Sequence, residues 1–236
     1  SLVQAGKLAA LGQMSAALSH EFNQPLAAAR TYAENAQVLI ERKRVEDARG
    51  NIDRILGLID RMTAISRHLR SFARKPGQKL EPVDLTETIT AAAEIAGPRL
   101  RAAHARLDIE IVDGLPPVVA GPVRLQQVLV NLLANAADAV EDARDRAIML
   151  KAEPWQGGVR ISVRDHGPGF AAGIAERVFD PFFSTKGPGK GLGLGLSISY
   201  NIVKDFGGEL AAANAPDGGA VLTIDLSAAE PAEQAA

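Results

Sequence analysis

Two apolar stripes at helical spacing occupy the first third of this chain, and they restrict its fold more than any other feature. One seam runs Leu8, Ser15, Phe22, Ala29, Ala36, and a second runs Leu11, Leu18, Pro25, Tyr32, Leu39. Residues seven apart share one side of a helix, so the pattern predicts a long helix with a coiled-coil-like stripe. The charged run Glu41-Arg42-Lys43-Arg44 interrupts it and marks a turn. A second helical stripe follows in Ile52, Ile55, Leu56, Ile59, Met62, Ile65, Leu69 and Phe72. A hairpin of two such helices cannot bury both stripes by itself. A second copy would cover them in a four-helix bundle, so a homodimer is the expected assembly; a helical linker is the alternative.

Lys75-Pro76-Gly77-Gln78 ends the second helix, because proline and glycine both oppose its continuation. The hairpin is therefore assigned to 1–76, a second domain to 80–228, and 229–236 to a disordered tail of alanine, glutamate and proline. The fold class is α+β. Past the boundary the pattern predicts helices over 86–102, 122–140 and 194–206, the middle one with Pro122 in its first turn. Strands are expected over 107–112, 148–152, 159–163, 209–213 and 220–226, with Gly157-Gly158 in one loop and Asp217-Gly218-Gly219 in another.

Of the 236 residues, 47% are hydrophobic and only 4% aromatic, so the core must be aliphatic and alanine-rich, which favours helices and an α/β layer. The formal net charge of -2, without a long run of one sign, argues against nucleic acid as a partner. Having no cysteine, the chain has no disulfide, thiolate metal site or cysteine nucleophile, which suits a reducing cytoplasm. No apolar run approaches the roughly 20 residues that span a bilayer, and no signal peptide is visible. The helical pattern is already under way at the first residues, which suggests a segment upstream.

Four clusters in the second domain point to a nucleotide. Asn131 and Asn135 lie four apart in Asn-Leu-Leu-Ala-Asn-Ala-Ala-Asp-Ala and share a helical face, while Leu129, Leu132, Leu133 and Ala136 can bury the other. Asparagine is a poor helix former, and its amide oxygen can coordinate Mg²⁺; a solvated face is the plain alternative. Asp165-His166-Gly167-Pro168-Gly169-Phe170 follows a strand, where the carboxylate can accept from an exocyclic amine and the glycines let backbone approach a flat base. An ordinary turn would read the same way. Gly167, Gly169 and Ala172 also fit a dinucleotide fingerprint, but Phe179-Asp180-Pro181-Phe182-Phe183 follows where that motif needs a helix and a distant acid. In Ser184-Thr185-Lys186, Lys186 can serve as a phosphate counter-charge. Last, Gly187-Pro188-Gly189-Lys190-Gly191-Leu192-Gly193-Leu194-Gly195 opens a helix, whose free N–H groups and dipole favour phosphate. Lys190 is followed by Gly191 rather than Ser or Thr, so this is not a Walker loop.

The four histidines are His20, His68, His104 and His166, without metal-ligand spacing. His20-Glu21 begins a zincin-like motif, but Gln24 stands where its second histidine belongs. His68 and His104 read as structural. His20 sits beside an acid on the amphipathic first helix, one turn before Pro25. A reactive imidazole in one module and a nucleotide triphosphate in the other suggest phosphoryl transfer to nitrogen.

The four clusters resemble the ATP-binding domain shared by sensor histidine kinases, type II topoisomerases, mismatch-repair ATPases and large heat-shock chaperones. Their order, together with His-Glu-x-x-x-Pro on a helical hairpin, is similar to the histidine kinases of two-component systems over about Gln4 to Leu226. The wording His-Glu-Phe-Asn-Gln-Pro-Leu-Ala-Ala, with Arg30-Thr31-Tyr32-Ala33-Glu34-Asn35, resembles the dicarboxylate-sensing branch. The resemblance implies an α/β sandwich with ATP under a lid. It implies Asn135 as the Mg²⁺ ligand, Asn131 beside metal and phosphates, Asp165 on the adenine amine with Gly167 and Gly169 shaping its pocket, and Gly191, Gly193 and Gly195 in the lid. His166 departs from the asparagine usual at its position. The same resemblance implies His20 as phosphoacceptor with Glu21 assisting, a response-regulator receiver domain as partner, and a cytoplasmic location below an inner-membrane sensor region. Gln24 holds the position used for partner dephosphorylation, where threonine or asparagine is commoner. Two other readings are a non-catalytic dimeric nucleotide-binding scaffold and an ATP-hydrolysing chaperone or repair-type module.

Overall fold

The computed structural model describes residues 15–73, 80–181, 183–185 and 193–229; in the first two helices it describes the side chains of 22–60, 62, 63 and 66. The chain divides into two compact units, Ser1–Lys75 and Pro76–Ala236.

The first unit is a helical hairpin, α1 (Ser15–Glu41) and α2 (Val45–Ala73). Among described side chains, the two seams of α1 face inward: Pro25 and Ala36 are buried and Phe22, Ala29, Tyr32 and Leu39 half-buried, whereas Asn23, Gln24, Leu26 and Ala27 are exposed. Leu8 and Leu11 lie outside the described residues. The helix runs through Pro25 unbroken, although proline has no N–H for the Glu21 carbonyl. It ends where Lys43 turns left-handed at φ 58 and the Arg44 N–H donates to the Leu39 carbonyl at 2.8 Å. On α2, Ala48 is buried and Ile55, Leu58 and Met62 half-buried, and the Arg54 guanidinium lies 5.4 Å above the Tyr32 ring. Only part of the predicted α2 stripe meets α1: Ile52, Leu56 and Ile59 remain 45%, 54% and 45% exposed. Ile65, Leu69 and Phe72 fall outside the described side chains.

The second unit packs α3 (Leu85–Ala102), α4 (Pro122–Val140) and α5 (Gly195–Asp205) on a five-stranded sheet. The strands are β2 (Arg106–Ile111), β4 (Ala147–Trp155), β5 (Gly158–Asp165), β6 (Glu209–Asn214) and β7 (Ala220–Ser227), in the order β2-β4-β5-β7-β6. The β2–β4 pair is parallel and the others antiparallel. Alternation sets the layers: Leu150, Ala152, Val159, Ile161, Val163, Leu222 and Ile224 are buried in the core, while the residues between them are half-covered. On that other face Arg160 donates to both oxygens of Asp225 at 2.7 and 2.6 Å and lies 3.4 Å above the Trp155 ring. The helices begin where their sequences say they should. The Asp84 carboxylate accepts from the Thr86 and Glu87 N–H groups at 2.7 and 3.2 Å to cap α3, and Pro122 opens α4.

Two differences from the sequence expectation stand out. A short antiparallel pair, β1 (Glu81–Val83) with β3 (Val118–Ala120), was not anticipated; three residues are too few to show an alternation. Gly158 belongs to β5 rather than to the loop. The turn is Gln156-Gly157, both left-handed at φ 42 and 78, as a two-residue hairpin requires.

The core depends on α4, where Leu125, Val128, Leu129, Leu132 and Leu133 are fully buried. Leu129→Ala should destabilise the second unit by about 2–5 kcal/mol. Denaturant unfolding followed by fluorescence of Trp155, the one tryptophan, measures this directly.

Candidate functional site

The buried stripe of α4 leaves Asn131 and Asn135, one turn apart, half-buried on the opposite face. Asn131 Nδ2 donates to Ser199 Oγ on α5 at 2.9 Å. Gly195, the first residue of α5, abuts the same amide: a Cβ there would overlap Asn131 Oδ1. Thus the first and fourth sequence clusters meet at one place. Gly193, two residues earlier, has φ 64, a conformation suited to glycine. Lys186 and Gly191 lie outside the described residues.

The second cluster sits at the end of β5. Asp165 is 6% exposed, and its Oδ1 accepts from the Gly167 N–H at 2.8 Å and the Ala220 N–H at 3.2 Å. Burial raises the Asp165 pKa above the usual carboxylate value, and the two backbone donors only partly oppose this. The glycines turn out to be required for contacts within the protein. A Cβ on Gly167 would come 2.6 Å from the Ala139 carbonyl of α4, and one on Gly169 (φ 70) 2.7 Å from Asn214 Oδ1. Sequence reasoning assigned their small size to an approaching base; the absent Cβ atoms also let α4 and β6 close around the loop. His166, the departure in this motif, turns its Nδ1 to the Ala147 carbonyl at 3.0 Å, with Nε2 4.0 Å from Asp145.

In the third cluster, Phe179 stacks on Tyr200 of α5 with ring centroids 5.2 Å apart, and Arg177 lies 4.8 Å above Phe183. The aromatics therefore pack, as expected. Sequence reasoning missed Ser199, Asn214, Gly219 and Ala220, which hold the other site residues. Gly219 was assigned to a turn, but its contact with the Asp165 carbonyl joins residues far apart in sequence and left no local signal.

In the first unit, His20 and Glu21 lie on α1 and their side chains are outside the described ones; Gln24, one turn beyond His20, is exposed. Among the described residues, no helix is long and apolar enough to cross a membrane.

Residues 10–77 match the His Kinase A (phospho-acceptor) domain. Residues 120–230 match the Histidine kinase-, DNA gyrase B-, and HSP90-like ATPase family. With the hairpin and the helix-on-sheet unit in that order, the chain belongs to the histidine kinases. It is similar to the C4-dicarboxylate transport sensor proteins DctB of Pseudomonas aeruginosa, 45% identical over 95% of this chain, and of Rhizobium meliloti, 42% identical over 92%. It spans only 37% and 35% of those proteins. Among solved structures it is similar to full-length ShkA in complex with AMPPNP, with 28% identity, 93% of this chain and 47% of that one covered, and TM-score 0.62. The ThkA catalytic domain, at 28% identity, covers 64% of this chain and 97% of its own with TM-score 0.56.

Asp165→Asn keeps an oxygen for both backbone donors while removing a buried charge. Because the folded carboxyl has the raised pKa, the folded state holds more protons just above the ordinary carboxylate range, and stability from this group falls as pH rises through that window. The variant should therefore melt at or above the wild-type temperature at pH 7, with the difference vanishing at acid pH. Thermal melts between pH 4 and 7 provide the measurement.

Proposed function

We propose that the chain binds ATP with Mg²⁺, phosphorylates itself on His20, and passes the phosphoryl group to an aspartate of a response-regulator receiver domain. The observation that carries this reading is that α4 meets Gly195 at Asn131 and the Asp165 loop at Ala139, in a chain whose other unit carries His20 in a phospho-acceptor match. In the second unit, Asp165 Oδ1 is occupied by backbone donors, which leaves Oδ2 for the adenine amine. Gly167 and Gly169 shape the loop beneath the base and Asn131 holds the phosphate side; by resemblance to the family, Gly191, Gly193 and Gly195 belong to the lid and Lys186 is a phosphate counter-charge. Asn135, half-buried one turn from Asn131, carries a neutral amide oxygen of the kind that suits a hard cation keeping waters and phosphates as its other ligands. When bound, Mg²⁺ would neutralise phosphate charge.

Catalysis in phosphoryl transfer is positioning and charge stabilisation. A neutral imidazole nitrogen of His20 attacks the γ-phosphorus in line; the P–N bond forms as the bond to the ADP oxygen breaks, and Glu21 orients the ring and takes its remaining proton. An unperturbed histidine is largely neutral at cell pH. Pro25 removes the hydrogen bond to the Glu21 carbonyl, which lowers the cost of bending α1 beside His20.

The apolar side chains of Ile52, Leu56 and Ile59 left exposed on α2 support dimerisation through the hairpin. By likeness to the DctB proteins, the chain would be the cytoplasmic transmitter of an inner-membrane sensor of dicarboxylates.

Incubation with γ-labelled ATP tests the main reading. Acid-labile label should appear on the protein and vanish in His20→Ala and in Asn135→Ala; label persisting in the first variant would overturn the assignment. Steady phosphate release without phosphoprotein would favour a chaperone-like ATPase instead. Gln24, exposed and four residues beyond His20, can hold a water for hydrolysis of the partner's phosphoaspartate. With one hydrogen bond to that water removed, Gln24→Ala should slow decay of a phosphorylated receiver about tenfold while leaving His20 labelling intact, as followed by phosphoprotein gels.

A further inference from the structure

We infer that Asn214 is a positioning residue for the nucleotide site, one that sets the shape of the Asp165–Phe170 loop from a strand 44 residues away. Its side-chain Oδ1 accepts from the Phe170 N–H at 2.7 Å, and its Nδ2 donates to the Phe170 carbonyl at 2.8 Å. An N–H and a C=O of one residue fix which way the amide points, so Asn214 pairs with Phe170 as a neighbouring strand would. Gly169 lies flush against this amide, with no room for a Cβ.

The other end of the loop is held by the same hairpin. Asn214 and Ala220 are cross-strand partners in the β6–β7 pair, and the Ala220 N–H donates to Asp165 Oδ1. Between them, the Ala215 N–H donates to the Gly219 carbonyl at 3.0 Å, and Gly219 (φ 84) packs on the Asp165 carbonyl. One strand pair therefore grips both ends of the loop that carries Asp165, Gly167 and Gly169. Ala220 does this with its backbone, whereas the Phe170 backbone is bonded by the Asn214 side chain while its ring packs against the core. Both Asn214 bonds are solvent-exposed, so they contribute little to global stability. Their effect falls on where Asp165 Oδ2 and the loop backbone stand when a base arrives.

The inference rests on the ATP reading of this site, and the test separates the two. ATP and GTP dissociation constants and melting temperatures would be measured for the whole chain, for Asn214→Ala and Asn214→Ser, and for Asp165→Ala as reference. With two hydrogen bonds removed, Asn214→Ala should weaken ATP binding about tenfold, lower the preference for ATP over GTP, and raise the KM for ATP in autophosphorylation. The rate at saturating ATP should stay near wild type. Asn214→Ser, with one hydroxyl, should fall between the two. Wild-type affinity and base preference in Asn214→Ala, alongside a loss in Asp165→Ala, would overturn the role of Asn214 while leaving the ATP reading standing. Full ATP binding by Asp165→Ala would overturn that reading and this inference with it. An affinity loss wholly explained by a smaller folded fraction at the assay temperature would also overturn it.

Discussion

Helix α4 is buried along Leu125, Val128, Leu129, Leu132, Leu133 and Val140, and this burial leaves the helix no freedom to rotate about its axis. Native-like packing makes such a rotation costly, since every buried side chain would have to change its neighbours at once. The rest of the second unit takes its position from this. With the leucines fixed inward, Asn131 and Asn135 must present on the opposite face, Ala139 must meet the Gly167 loop, and Gly195 must begin α5 against the Asn131 amide. The hydrophobic face therefore sets the geometry of the polar one.

Much of this was legible in the residues alone. The helical period of α4, its Pro122 start and the Asn131/Asn135 spacing needed only one turn of context, and the structure places that helix over the same residues, Pro122–Val140. From Phe22 to Leu39 the seams of α1 were equally readable, because the covered positions repeat at a fixed interval. Failures came where information is not local. Strands β1 and β3 are three residues each and exist because they find one another across the intervening α3 and β2. A second constraint on Gly167 and Gly169 was not visible, because the atoms that exclude a Cβ belong to Ala139 and Asn214, the second of them on a distant strand. Ser199 and Asn214 carry no motif at all; each is an ordinary polar residue until its partner is in view.

The two units meet their burial requirements in different ways. The second unit closes its core with its own helices and sheet. In the hairpin, α2 keeps Ile52, Leu56 and Ile59 about half exposed, so its full stabilisation requires another apolar surface. The chain thus joins a self-sufficient ATPase-type unit to a helical pair whose apolar surface is left incomplete, and His20 lies on the latter.

Asp165 is a charge that the folded protein holds at some cost, since burial favours its protonated form. A ligand that brings a hydrogen-bond donor to the carboxylate relieves that cost and so draws its proton affinity back down. Reciprocity then applies: the factor by which such a ligand loosens the proton is the factor by which the proton loosens the ligand. The same burial that raises the Asp165 pKa, against the pull of its backbone donors and of nearby His166 and Arg164, thus links its protonation to any donor that reaches the carboxylate.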